Sequence, residues 1–476
     1  MNLRRKTLTG LAWNFFEQLG SRGITGLVTI VLAKFLLPGE FGIFGMLAVF
    51  LQLANTMMDS GFLHALIQRK NPTQQDYSTV FYSNLILGSV SYTLLFLCAP
   101  LVANFYNELR LTEILRVVGI SIIINSFKVV QEAIFIKQLN FKAIVIASLP
   151  GSIISGIVAV VLAVLGYGVW ALIVQVLIAS LVTTVVLWFQ SGWIPSLIFS
   201  VDSFRNLFGY GSKLFVSGII DTMFQNVYII VFAKLFSSEV AGYYFIAHRI
   251  RQLLVFQLTT AVQTVAFPAL SIIQDDKKRL KSGFRELLRM LVYIMFPIIL
   301  LPIGIIGPVV KVLLAENWLP LVKYVQILLL AGMLVPLHSV NLTVLKVMGR
   351  SDLFLIIEII KKILIVAVLL ISTKFGILAI MYGQIISTIL AYLPNSYFTK
   401  KLINYSQSEQ LHDLLVPFFC AGGITFAITI INNNYNVLSV LNITIMLLSS
   451  FLAYFGITFF GFSFYRETIK KIIVSR

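Results

Sequence analysis

Three ionisable side chains, His248, Arg249 and Arg251, interrupt an otherwise mostly apolar run from Val240 to Ile273. As a helix that run is about 50 Å long at ~1.5 Å per residue, more than the roughly 30 Å hydrocarbon core of a bilayer. Counted from a helix start at Ser238 and Glu239, the three lie about 13 to 19 Å in, close to the membrane midplane. Ionisable groups at that depth are costly, so they face a watery cavity or one another, and they mark a path. Arginine is charged at any accessible pH and presents a planar fork of donors, so the chemistry offered is non-covalent binding of an anion.

A second charged group lies in GRSDLFLIIEIIKKILIV, where Glu358 is spaced to pair with Lys361 at i+3 or Lys362 at i+4, but not fully with both. One positive charge is left over, roughly 14 Å deep. Asp221 sits at a similar depth if its helix starts near Ser212. It reads as a proton carrier, a sodium ligand or a salt-bridge partner of Arg249 or Arg251. Glu17 and Arg22, in the first apolar stretch, are five apart and face different sides of a helix, so each needs a partner elsewhere or water. Lys128 and Glu132 stand at i,i+4 and can neutralise each other, while Asp59 and His64 read as interface residues near a span end. Summed over the deep groups, Arg22, Lys128, Arg249, Arg251, Lys361 and Lys362 outnumber Glu17, Glu132, Asp221 and Glu358. A cationic cavity points to an anionic substrate.

The elements that must hold these groups are membrane spans. Of 476 residues, 58% are hydrophobic and 12% charged, far from soluble usage. The pattern predicts an all-α polytopic membrane protein of about fourteen helices. Among the predicted spans are 8–37, 111–136, 207–236, 239–273, 284–315, 318–348 and 352–374. The first is read as an uncleaved span, because no convincing cleavage site follows its basic start. Lys and Arg gather in alternate loops, which places both termini in the cytoplasm. The net charge of +17 therefore belongs to loops, and nothing resembles a nucleic-acid-binding domain. Cys98 and Cys420 read as packing residues, and the four histidines are too scattered to predict a metal centre or cofactor. Pro297, Pro302, Gly304, Gly307 and Pro308 interrupt the span at 284–315, and Pro268 ends the apolar part of the one before, as kinks, hinges or packing elements.

A weak internal repeat matches Ala33, Lys34, Gly42, Gln52 and Leu53 to Ala233, Lys234, Gly242, Gln252 and Leu253. It predicts two six-helix lobes at 1–195 and 207–402, a cytoplasmic connector at 196–206 and a terminal helix pair with a tail at 403–476. Where the second copy has His248, Arg249 and Arg251, the first has Ala48, Val49 and Leu51. The charge is thus not required by the shared helix packing.

The runs MMDSGFLHALIQRKNPTQQDYSTVFYSN (Met57–Asn84), GYGVWALIVQ (Gly166–Gln175), AGYY (Ala241–Tyr244) and AGMLVPLHSVNLTVLKVMGRSDLFLIIEIIKK (Ala331–Lys362) resemble the Wzx-type lipid-linked oligosaccharide flippases. These are the polysaccharide branch of the multidrug/oligosaccharidyl-lipid/polysaccharide exporter superfamily. The resemblance implies two lobes around a central V-shaped cavity in a bacterial inner membrane. It implies alternating access driven by a proton or sodium gradient, without other cofactors. The cargo it implies is oligosaccharide on undecaprenyl pyrophosphate, moved from the cytoplasmic to the periplasmic leaflet, as in O-antigen and lipopolysaccharide assembly; whether the protein acts alone or beside a polymerase and other assembly proteins is left open by the sequence. It carries over Glu358, Lys361 and Lys362 as motif positions. His248, Arg249 and Arg251 depart from the more neutral segment expected after AGYY, so their role rests on depth and charge.

Two other readings compete. A drug or cation antiporter of the same superfamily predicts a cavity of carboxylates and aromatics, whereas here cations predominate. A membrane-embedded glycosyl polymerase or ligase predicts a sizeable outward loop with catalytic groups, whereas the outward loops are short and nearly uncharged. No catalytic residues are predicted, and no P-loop or GxSxG occurs in a usable context. The chain reads as a transporter acting as a monomer. Arg22, His248, Arg249, Arg251, Lys361 and Lys362 bind the pyrophosphate in that reading, and Asp221, Glu358 and Glu17 handle the coupling ion.

Overall fold

The computed structural model describes Trp13, residues 20–21, 23–434 and 439–461. Its elements are α1 (Gly23–Phe35), α2 (Pro38–Asp59), α3 (Phe62–Gln68), α4 (Gln74–Tyr106), α5 (Arg110–Val118), α6 (Ile120–Ser126), α7 (Val129–Lys137), α8 (Phe141–Val164) and α9 (Val169–Ser191). They continue as α10 (Val201–Leu235), α11 (Ser238–Ser271), α12 (Lys277–Leu313), α13 (Leu321–Gly332), α14 (Val335–Val347), α15 (Ser351–Ser372), α16 (Ile377–Ile403), α17 (Gln407–Asn434) and α18 (Val440–Gly461). Among the described residues there is no strand, and the all-α architecture expected from the sequence is the one found.

Ten helical stretches among the described residues are long and apolar enough to cross a membrane. Predicted spans outside those ten are the short α1, the interrupted α5–α7, and α11 and α15, which carry the deep charges. Large apolar side chains such as Leu97, Leu101, Phe189 and Leu452 stand exposed around the helices, as a lipid-facing surface requires.

Hydrocarbon offers the backbone no water, so where a helix loses a hydrogen bond a side chain from a neighbouring helix can replace it. α12 runs unbroken through Pro297, Pro302 and Pro308. Proline lacks an N–H, which orphans the carbonyl four residues earlier. For Pro297 that is Tyr293, whose carbonyl accepts from the Tyr454 hydroxyl of α18 at 3.0 Å. For Pro308 it is Gly304, whose carbonyl accepts from Asn432 Nδ2 of α17 at 2.7 Å. Pro100 of α4 frees the Phe96 carbonyl, and Arg116 Nε lies 3.5 Å from it, with the guanidinium over the Phe96 ring.

The same rule explains why the span predicted at 111–136 is divided into α5, α6 and α7. At the first division the Tyr92 hydroxyl takes the Arg116 carbonyl at 3.2 Å, and a Cβ on Gly119 would meet the Tyr92 ring at 3.0 Å. At the second, Thr184 and Trp188, one turn apart on α9, donate to the carbonyls of Ile124 and Phe127 at 3.3 and 2.9 Å.

By contacts the chain forms two compact units, Met1–Phe245 and Ile246–Arg476. The lobes predicted at 1–195 and 207–402 follow the repeat. The contact boundary falls later because α10 lies along α2 within the first unit, with Asn226 Nδ2 donating to Gln52 Oε1 at 2.9 Å. α10 begins at Val201, capped by Ser200, and the preceding strand of chain is pinned to α4 by Trp193–Gln74, Ser196–Ser78 and Ser200–Thr79 hydrogen bonds.

Helix ends recur through the repeat: α1 and α10 end at Phe35 and Leu235, and α2 and α11 start at Pro38 and Ser238. In the first unit the repeat-related Gly42 and Gly242 touch each other's helices reciprocally. A Cβ on Gly42 would fall 1.7 Å from the Ser238 carbonyl, and one on Gly242 would fall 1.8 Å from the Pro38 carbonyl. Only glycine fits either place. A second close approach joins Gly61 and Gly211, where added Cβ atoms would meet backbone at 2.6 and 2.5 Å.

In the second unit Asp413 of α17 is buried and joins Arg285, at 2.6 and 3.0 Å, and Arg289, both of α12, with the Tyr405 hydroxyl at 2.5 Å. Lys281 pairs with Glu409 at 2.8 Å one turn away. Together they fix α17 along α12.

Tyr454→Phe, which removes only the donor to the Tyr293 carbonyl, is expected to cost about 1–2 kcal/mol and to lower the unfolding midpoint of the purified protein. Gly242→Val drives a side chain into the Pro38 carbonyl and is expected to cost more than the ~1–3 kcal/mol of ordinary overpacking. Gly307→Ala, with open space around it, should leave the midpoint unchanged. Tryptophan-fluorescence thermal unfolding in detergent checks all three, and an unmoved midpoint for Gly242→Val would contradict the crossing.

Candidate functional site

The predicted site residues fall in both units. Glu17 and Arg22 lie outside the described residues. Asp221, on α10 in the first unit, is exposed. Lys128 and Glu132 pair at 3.4 Å as their spacing predicts, with Lys128 immediately before the first residue of α7.

In the second unit α11 carries His248, Arg249 and Arg251, all half-buried, immediately after the buried Ile246 and Ala247. His248 and Arg251, three apart, lie on one face of α11. The stem of Arg251 passes over Gly332 of α13: a Cβ there would lie 3.1 and 3.2 Å from Arg251 Cγ and Cδ. Glycine thus leaves the groove in which the arginine runs. Among the described residues, neither Arg249 nor Arg251 makes an ion pair with a carboxylate.

On α15, Leu355, Ile359, Ile363 and Leu370 form an exposed apolar stripe at helical spacing. Lys361 is two positions from both Ile359 and Ile363, hence on the opposite side, and its side chain is only 15% exposed. It pairs with Glu358 at 2.8 Å. Of the two pairings the spacing allowed, the i+3 one to Lys361 is the one formed.

Sequence reasoning passed over a buried polar network between α14, α16 and α17. His338 Nδ1 meets Asn395 Nδ2 at 2.6 Å, and Thr399 Oγ1 donates to Asn341 Oδ1 at 2.7 Å. The Tyr392 hydroxyl donates to Gln410 Oε1 at 2.5 Å, and the Tyr392 ring stands edge-on to His338 with centroids 5.9 Å apart. The signal was available: His338 and Asn341 on one helix and Asn395 and Thr399 on another both recur at one-turn spacing inside apolar surroundings. Among the described residues no cluster of His, Cys, Asp and Glu is arranged to hold a metal ion.

Fold and site together define an all-α protein of many membrane spans that keeps cations and hydrogen-bonding side chains inside those spans. Residues 31–323 match the family described as polysaccharide biosynthesis protein, and the chain belongs to that family. The family resemblance, whose runs Met57–Asn84, Gly166–Gln175 and Ala241–Tyr244 lie within that match, is thereby borne out. The chain is similar to the lipopolysaccharide biosynthesis protein WzxC of Escherichia coli (strain K12), 25% identical over 430 residues, 88% of this chain and 86% of that protein. It is also similar to the teichuronic acid biosynthesis protein TuaB of Bacillus subtilis (strain 168), 23% identical over 427 residues and 88% of each chain. Among solved structures, the lipid II flippase MurJ in an inward closed conformation shares the fold, with a TM-score of 0.75 at 16% identity over 97% of this chain and 100% of that one.

Proposed function

We propose that this protein is a flippase that moves oligosaccharide linked to undecaprenyl pyrophosphate from the cytoplasmic to the periplasmic leaflet, by ion-coupled alternating access, for polysaccharide biosynthesis. The observation that carries the reading is the placement of Arg249 and Arg251 within a membrane-length helix without a carboxylate partner among the described residues. A pyrophosphate bears about two negative charges and cannot cross roughly 30 Å of hydrocarbon unaided, while its polyprenyl tail is at home in lipid. A cationic path open sideways to the bilayer carries the head and leaves the tail outside. The names of the relatives, lipopolysaccharide and teichuronic acid biosynthesis proteins, and the lipid II flippase with the same fold support a polyprenyl-linked glycan as cargo.

In this reading Arg249 and Arg251, with His248 beside them, bind the pyrophosphate together with Arg22, Lys361 and Lys362. Asp221, Glu358 and Glu17 serve the coupling ion, proton or sodium. The protein works as a monomer in the bacterial inner membrane with both termini in the cytoplasm, supplying a polymerase on the far side.

The test is transport in proteoliposomes with lipid-linked oligosaccharide loaded on one side. Arg249→Ala and Arg251→Ala, inserted normally, are each expected to reduce the rate by about tenfold or more, the scale for losing a buried charge contact. Variants that transport like the parent would remove α11 from the path. A parent that moves only small organic cations would make the antiporter reading the correct one.

A further inference from the structure

The first unit carries uncharged amides inside its membrane spans. Gln225 and Asn226 stand about 15 Å into the apolar stretch Phe215–Leu235 of α10, at ~1.5 Å per residue, close to halfway along it. Asn226 Nδ2 donates to Gln52 Oε1 of α2 at 2.9 Å, so Gln52 lies at the same depth. One turn further along α2, Asn55 Oδ1 accepts from Asn125 Nδ2 of α6 at 3.1 Å. A row of amides thus crosses three helices of one unit, α10, α2 and α6. Gln52 and Gln225 are exposed, and Asn55, Asn125 and Asn226 are half-buried. Hydrocarbon cannot bond an exposed amide, so this face lines water rather than lipid.

Amides that serve only to join helices spend their donors and acceptors on one another. These keep ends in reserve. Among the described residues Gln225 makes no side-chain hydrogen bond, and Gln52 uses its oxygen but not its nitrogen. Asn226 uses its nitrogen, on Gln52 and on the Thr222 carbonyl, but not its oxygen, and Asn125 Oδ1 is unpartnered. The row therefore offers donors and acceptors side by side without charge. An anion calls for donors alone and a cation for acceptors alone, whereas a hydroxyl both gives and accepts a hydrogen bond. A neutral polyhydroxylated ligand fits this pattern. Half-buried Tyr228, three residues past Gln225, adds an aromatic ring for the C–H face of a sugar.

We propose that this amide row is a glycan-binding site of the first unit, in which Gln52, Gln225 and Asn226, with Asn55 and Asn125 beside them, hydrogen-bond the hydroxyls of the sugar cargo. The inference rests on the flippase reading above and deepens it, because the cations assigned to the pyrophosphate leave the sugars without a partner. It also gives the difference between the repeats a purpose: α2 has Ala48, Val49 and Leu51 where α11 has His248, Arg249 and Arg251, and its own polar face is neutral. Hydrogen bonds from exposed amides exchange readily for water, so the glycan is held weakly enough to leave.

The experiment compares two probes on the full-length protein in lipid nanodiscs, with binding followed by microscale thermophoresis. One is undecaprenyl pyrophosphate without sugar, and the other is the lipid-linked glycan extracted from the cells that make this protein. The parent is expected to bind the glycan-bearing lipid more tightly than the bare one. Gln225→Leu and Gln52→Leu should each weaken the glycan-bearing lipid by about threefold to tenfold, the scale of one or two hydrogen bonds, and leave the bare lipid unchanged. Gln225→Leu removes no hydrogen bond of the fold, so its unfolding midpoint should match that of the parent. A parent that binds the two lipids equally, or variants that keep their glycan affinity or lose affinity equally for both lipids, overturn the glycan site while the pyrophosphate reading stands. A parent that binds neither lipid overturns the flippase reading, and the glycan site with it.

Discussion

A chain inside hydrocarbon must satisfy its own polar groups, and that constraint shapes this protein at every level. The prolines of α12 are accommodated because Tyr454 and Asn432 bring donors to the carbonyls that Pro297 and Pro308 orphan. The divided span α5–α7 is held by Tyr92, Thr184 and Trp188 in the same way. α17 and α18 are thus fastened to α12 by replacing hydrogen bonds that α12 cannot make for itself, with the Asp413 cluster adding an ionic clamp at one end. Pro297 and Pro308 are tolerated within α12 because these partners exist.

Against that background the interior charges stand out. Where charge serves architecture it is closed: Lys128 meets Glu132, Asp413 meets two arginines, and Asp76 both caps α4 and meets Arg69 at 3.1 Å. Lys361 is closed by Glu358, and its side chain is only 15% exposed. Arg249 and Arg251 follow neither pattern among the described residues. Among the described residues these two guanidinium groups meet no carboxylate, which is the physical ground for assigning them to a passing anion.

Local spacing made part of this legible in the sequence. The membrane-length runs, the Lys128–Glu132 pairing, the choice of Glu358 between Lys361 and Lys362 and the start of α11 at Ser238 all follow from contacts within about a turn. The repeat was legible as five matched residues, and its meaning became visible in the reciprocal fit of Gly42 and Gly242, each against the backbone of the other's helix. Other features depend on partners remote in the chain. Nothing near Pro308 announces Asn432, and the division of α5 from α6 is made by Tyr92 of another helix. Nothing near His338 in the sequence announces Asn395, its partner 57 positions away. The predicted role of Glu17 and Arg22 lies outside the described residues.

The central claim, that the cations of the second unit receive a polyprenyl pyrophosphate head, is tested most directly by photocrosslinking. A short-chain polyprenyl pyrophosphate with a photoactivatable group next to the phosphates would be added to the reconstituted protein and the labelled peptides mapped. The account predicts labelling on α11 around His248–Arg251 and on α15 around Glu358–Lys362, competed by unlabelled pyrophosphate lipid and absent with the unphosphorylated alcohol. Labelling confined to lipid-facing positions such as Leu97, Leu101 and Ile363, equal for the two lipids, would contradict it.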